Sequence, residues 1–177
     1  LLETAAVFRT IGHAEQFGIT TSAPVVDFAK SQVRKQSIID TLVGGLASLL
    51  KGRKVTVYDG NGSLQADRSV QVRGGASGDV DLMSDHVMLA TGSAPRTLPG
   101  FEIDGEIVMT SDEFLSLGHV PESAVIIGGG AIGCEFASML VDLGSQVTLL
   151  EYMPRLIAGA DADCSKVVER SFKKRGM

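Results

Sequence analysis

Apolar residues recur at three- and four-residue intervals along positions 1–17: Leu2, Ala5, Ala6, Phe8, Ile11, Ala14 and Phe17, with Gly18 placed to close the last turn. This spacing predicts a helix. A polar stretch at 20–24 separates it from a second helical pattern. Asp27 suits its cap, and Val33, Ile38, Ile39, Leu42, Val43, Leu46, Leu49 and Leu50 are its apolar positions. Gly44 and Gly45 interrupt this helix, each at a cost of about 1 kcal/mol relative to alanine, which predicts the close approach of another backbone. The period then changes to two. Residues 54–58 alternate, DGNG at 59–62 signals a turn, and 69–73 alternate again. Gly74, Gly75, Ala76, Ser77 and Gly78 read as a loop, and the whole as a small antiparallel meander.

Residues 86–90 (HVMLA) have the composition of a buried strand and run into Thr91, Gly92 and Ser93. Small residues at the carboxyl end of a parallel strand suit a ligand site in an open α/β sheet; a strand that simply ends in a turn looks the same. Proline and glycine crowd residues 95–105, which reads as a crossing between two domains, 1–105 and 106–177. Ser111 is expected to cap a short helix over 112–117. Residues 124–127 (AVII) form a continuous apolar run bounded by glycines, the pattern of a buried strand. A G-x-G-x-x-G follows at 128–133. A helical pattern comes next, with Ile132, Phe136, Met139, Leu140 and Leu143 on or near one face and Gly144 at its end. Residues 146–150 predict a second strand, and Glu151 stands at its tip. Asp161 suits the cap of a last amphipathic helix, with Cys164, Val167, Val168 and Phe172 inward and Gly176 closing it.

Each residue type around 128–151 has a mechanical use. Gly128 allows a tight strand-to-helix turn. Gly130 has no side chain to keep a pyrophosphate from the backbone. Gly133 lets the helix lie close to the strand, and the helix N-terminus offers N–H groups and a positive dipole end. Glu151, 23 residues beyond Gly128, is placed to accept hydrogen bonds from the adenosine ribose hydroxyls, favouring NADH over NADPH because a carboxylate repels a 2′-phosphate. Arg155 either approaches that same region or is a solvated residue after Pro154. The plainer reading of the whole stretch is a glycine-rich turn with a surface acid.

The 177 residues are 44% hydrophobic and 21% charged, with a net charge of −5. That is a soluble globular composition for one large or two small domains. The mild acidity argues against a nucleic-acid partner, and the basic run Lys173, Lys174 and Arg175 suits a helix C-terminus. No apolar run approaches the length of a membrane span. Cys134 and Cys164 lie 30 residues apart without a C-x-x-C, so both read as buried thiols in a reducing compartment. His13, His86 and His119 form no metal-ligand spacing. Both ends look cut: the chain opens within a helical pattern, and a full dinucleotide-binding domain needs more strands than follow Glu151. The expectation is an internal piece of a longer protein.

Taken in order, these residues resemble the class I pyridine nucleotide–disulfide oxidoreductases, and within them the dihydrolipoyl dehydrogenase branch. Leu1, Leu2 and Glu3 look like the continuation of the helix that carries the family's redox dithiol, and residues 42–46 (LVGGL) like the long helix of its flavin domain. Residues 58–62 (YDGNG) match the turn whose second glycine, here Gly62, touches the adenine end of FAD. Residues 89–93 (LATGS) match the segment in which Thr91, Gly92 and Ser93 lie along the FAD. Gly128, Gly129, Gly130, Ala131, Ile132, Gly133, Glu135 and Glu151 match the NAD site.

In the family, Glu135 reaches toward flavin and nicotinamide and pairs with a lysine that lies outside these residues. The resemblance implies a Rossmann-like FAD/NAD(P)-binding fold, here as incomplete pieces of two doubly wound domains. It also implies electron flow from dihydrolipoamide through a dithiol and FAD to NAD+, a homodimer, a lipoyl-domain partner in 2-oxo-acid dehydrogenase complexes, and a cytoplasmic or mitochondrial-matrix location. The dithiol, the first FAD-binding glycine motif and the His–Glu acid–base pair lie outside this chain, so no catalytic residue is assigned. A related disulfide or mercuric reductase, or a non-catalytic NAD-binding piece, is the alternative.

Overall fold

The computed structural model describes residues 1–76 and 78–177; Ser77 of the expected 74–78 loop lies outside the described residues. The chain divides into two units, one formed by Leu1–Ile38 with Thr97–Met177, the other by Ile39–Arg96.

The first unit is built on a βαβ arrangement. Strand β4 (Ser123–Ile127) and strand β5 (Gln146–Leu150) pair in parallel, from Ser123 opposite Gln146 to Ile127 opposite Leu150. Helix α4 (Ala131–Asp142) is the crossover between them. Leu143 N–H bonds back to the carbonyls of Met139 and Leu140, and Gly144 (φ +98) turns the chain into β5. Helix α1 (Leu2–Gly12) packs on α4, and helix α5 (Ala162–Lys174) follows β5. Their common core is Ala5, Cys134, Ala137, Met139, Leu140, Val147 and Phe172. Only one face of β4 is covered. Ala124 and Ile126 turn toward the core, whereas Val125 and Ile127 are 64% and 46% exposed, so the expected fully buried strand is half-buried. Ile132, expected inward, is exposed.

Local chemistry sets the ends of these elements. The α1 pattern breaks at Gly12 and continues as a 3-10 turn, Ala14–Phe17, closed by Gly18 at φ +73. Asp27 Oδ1 accepts from Lys30 N–H at 3.0 Å and so caps α2 (Phe28–Gly52), as its sequence position predicts. Gln32 Nε2 and Lys35 Nζ of α2 donate to the Leu115 carbonyl. The cap of helix α3 (Ser111–Phe114) is Thr110 rather than Ser111. Thr110 and Glu113 form a reciprocal capping box, and the helix ends at Phe114 instead of reaching 117. The inward face of α5 carries Ser165 and Phe172, with Val168 partly covered. Cys164 and Val167, expected inside, are exposed.

The second unit holds the end of α2 and a three-stranded antiparallel meander: β1 (Asn61–Leu64), β2 (Val70–Arg73) and β3 (Val80–Leu82), in that order. The meander was expected, but its first strand is not. Residues 54–58 form no strand, and the expected turn residues Asn61 and Gly62 instead pair with Arg73 and Val72. Residues 86–90 form no strand either; Met88 is 90% and Leu89 68% exposed. Both segments have strand composition, yet no described strand pairs with them, and pairing is what makes a strand. A Cβ at Gly44 or Gly45 meets nothing within 4 Å, so the backbone approach predicted there is not made by the described residues.

Candidate functional site

The site forms where β4 and β5 end side by side. Gly128 N–H donates to the Leu150 carbonyl at 2.8 Å, extending the parallel ladder by one bond. Gly128 then turns the chain at φ +110, a conformation that a residue with a Cβ rarely adopts. Gly130 is the N-cap of α4, with extended backbone (φ −72, ψ −174) and no side-chain cap, and a Cβ there would meet nothing within 4 Å. At Gly133 a Cβ would overlap the carbonyl oxygen of Gly128 and lie 3.4 Å from Ile126 Cγ2. The first turn of α4 therefore rests directly on the strand end. Its uncapped N-terminal N–H groups make an anion-favouring end.

Glu151 Oε2 accepts from Gly129 N–H at 2.6 Å, and its Oε1 accepts from Met153 N–H at 2.7 Å. The Met153 and then the Gly129 N–H hold this carboxyl below the ordinary glutamate range, so it is ionised at neutral pH. A carboxylate has about four acceptor positions, so acceptor sites remain for hydroxyls arriving from outside. Arg155 does not point its charge freely into this region. Its Nη2 donates to the carbonyls of Ala158 at 2.9 Å and Ala160 at 3.2 Å. Cys134 is buried, and its Sγ–H donates to the Gly129 carbonyl at 3.3 Å. Burial, and then the charge of Glu151, raise its thiol pKa, which keeps the proton on. A cleft of about 320 Å3 opens beside Glu151, lined among others by Leu149, Arg155, Leu156, Glu169, Phe172 and Lys173.

The structure thus brings Gly128, Gly129, Gly130, Gly133 and Glu151 into one small volume, with Ala131 and Ile132 in the first turn of α4. Glu135 lies further along α4 and is exposed. Gly62 sits in β1 opposite Val72, and Thr91, Gly92 (φ +77) and Ser93 lie in an exposed irregular segment of the second unit. The sequence pattern did not reveal what Gly129 does: it is buried and hydrogen-bonded at both its N–H and its carbonyl. The acid 22 residues later was the available signal. Among the described residues, no group of three or more His, Cys, Asp or Glu could hold a metal ion, and no helix is long and apolar enough to cross a membrane.

The sequence profile of the pyridine nucleotide-disulphide oxidoreductases matches residues 3–177. A dihydrolipoyl dehydrogenase of Bacillus subtilis is 42% identical, over all of this chain and 39% of its own length. One from Chlorobaculum parvum is 36% identical, over 98% of this chain and 37% of its own. Among solved structures, LpdA from Mycobacterium tuberculosis superposes with a TM-score of 0.87 at 24% identity, over 99% of this chain and 39% of that one. The flavoprotein disulfide reductase RclA from Escherichia coli gives 0.72 at 26% identity, over 96% and 37%. This chain therefore spans about two fifths of the length of the relatives it matches. FAD and NAD are the cofactors of dihydrolipoyl dehydrogenases. From this match and this α/β architecture, the chain belongs to the pyridine nucleotide-disulphide oxidoreductase family.

Proposed function

We propose that this chain carries cofactor-cradling parts of an NAD-dependent flavoprotein of the dihydrolipoyl dehydrogenase kind. Residues 106–177 supply part of the NAD-binding domain and residues 1–105 part of the FAD-binding domain, although α1 packs on α4. The observation that carries this reading is the joint geometry of the glycine loop and the acid: bare backbone at Gly130, an uncapped helix N-terminus, and an ionised Glu151 at the neighbouring strand tip. The open space at Gly130, where a Cβ would meet nothing within 4 Å, would let a pyrophosphate approach the backbone. Glu151 would accept from the adenosine ribose hydroxyls, and Glu135 would face the nicotinamide end. Gly62, Thr91, Gly92 and Ser93 would lie along FAD, and Gly62 and Gly92 have open space where a Cβ would stand. Bound nicotinamide and flavin supply the electron chemistry; the residues here bind and orient them.

On this reading the parent oxidises dihydrolipoamide on a lipoyl-domain partner, works as a homodimer, and resides in the cytoplasm or, alternatively, the mitochondrial matrix. The 177 residues alone turn over no substrate. On this reading Cys134, which is buried, and Cys164, which is exposed, are not the redox dithiol of the parent. A related disulfide or mercuric reductase is the alternative; the acid at Glu151 favours a relative that uses NADH over one that uses NADPH.

The test is Glu151→Arg in the full-length protein. Loss of a charge-assisted hydrogen bond is worth about 1.5–3 kcal/mol, so the NADH-to-NADPH ratio of kcat/KM should fall by roughly tenfold or more. An unchanged ratio counts against the ribose role.

A further inference from the structure

Gly129 is held from several sides. Its N–H donates to Glu151 at 2.6 Å, and its carbonyl accepts from Ile157 N–H at 2.7 Å and from the Cys134 thiol at 3.3 Å. A Cβ at this position would stand 2.5 Å from Leu156 Cδ2 and 3.1 Å from Glu151 Oε2. The other oxygen of Glu151 takes the Met153 N–H. One carboxylate and the two backbone groups of one glycine therefore join two segments, the glycine loop at 128–130 and the stretch that leaves β5 at 152–160. Ile157 adds a second sign of constraint. Its φ is +41, a left-handed conformation that a β-branched residue rarely adopts. Such strain persists where surrounding contacts over-determine it, and here Ile157 reaches the Gly129 carbonyl.

Reading a ribose needs only a carboxylate at a strand tip. Holding the loop's own N–H is a different task. We propose that Glu151 is also a positioning residue for the phosphate loop, latching Gly129 to residues 153–157 so that the loop keeps its shape before any nucleotide arrives. This deepens the dinucleotide reading and rests on it. Removing the carboxylate then has two consequences, a lost sugar contact and a loosened loop, and the two can be separated.

The experiment uses the full-length protein, wild type against Glu151→Ala. In nucleotide-free protein, amide hydrogen exchange at Gly129, Met153 and Ile157 should quicken by roughly tenfold or more while β4 and β5 are unmoved. NADH and reduced nicotinamide mononucleotide, which has a phosphate but no adenosine, should both bind more weakly. Unchanged exchange at Gly129, or a loss confined to NADH, overturns the proposal. Should the alanine variant unfold, Glu151→Gln keeps one acceptor oxygen and should release either the Gly129 or the Met153 amide. Full protection of both in that variant overturns it equally. If the wild type bound neither nucleotide, the dinucleotide reading would fail, and the exchange comparison would still decide the latch.

Discussion

A side chain at Gly130 would meet no protein atom within 4 Å, whereas one at Gly133 would overlap the Gly128 carbonyl. Two glycines of one motif thus matter for different reasons. Gly133 is required by the fold, and Gly130 is bare toward the outside. Its extended backbone admits valine, and replacing a glycine cap by an apolar residue costs about 1 kcal/mol. In the full-length protein, Gly130→Val should lower the Tm by only a few degrees, on the order of 2–4 °C. It should weaken NADH binding by roughly tenfold or more. Titration calorimetry that finds the affinity intact in a folded variant would remove the pyrophosphate assignment.

Three helices meet at Asp142, near the end of α4. Its carboxylate accepts from Arg9 of α1 and from Arg175, just beyond α5, each at 2.9 Å, and its side chain is 7% exposed. Arg175 also donates to Ser138 Oγ at 3.0 Å and lies over the Phe172 ring. Asp142→Ala would leave Arg175 part-buried without its anion, a loss of about 2–4 kcal/mol. Arg9, nearly half exposed, should cost less than about 1 kcal/mol when replaced by alanine. Urea unfolding of the two variants in the full-length protein checks the order; equal losses would mean that the pair at Arg175 carries no special weight. No sequence pattern announces this cluster, because Arg9 and Asp142 are 133 positions apart. What could be read along the chain was local: the apolar stripe and Asp27 cap of α2, the strand–loop–helix–strand order around the glycines, and Gly18 and Gly144 as terminators. Residues 54–58 and 86–90 misled because strand composition is satisfied only by a neighbouring strand. Cys164 misled because α5 turns Ser165, not the thiol, inward. Within the site, the acid and the glycines were legible, but the bonds that tie Gly129 to residues 151–157 depend on a loop without periodicity.

Within residues 39–96, Ser69 and Val72 are the buried ones among those described, while Leu42, Val43 and Leu46 of α2 are 56–67% exposed. That unit has little core of its own, and the chain spans about 39% of its dihydrolipoyl dehydrogenase relatives. Exposed apolar surface on this scale favours association. Expressed alone, the 177 residues should bind a hydrophobic dye and elute in size-exclusion chromatography well ahead of an 18.6 kDa monomer as concentration rises. A sharp monomeric peak that does not bind the dye would show that this surface is covered. The parallel ladder of β4 and β5 has a consequence of another kind. Because Ile127 faces Leu150 and Gly128 bonds to it, the two strand ends are level. The buried Val147 fixes which face of β5 meets the core, so one residue inserted within 147–150, unlike one absorbed by the turn at 144–145, would swing Glu151 to the opposite side of the sheet. The last four positions before Glu151 therefore act as a ruler for where its carboxylate stands.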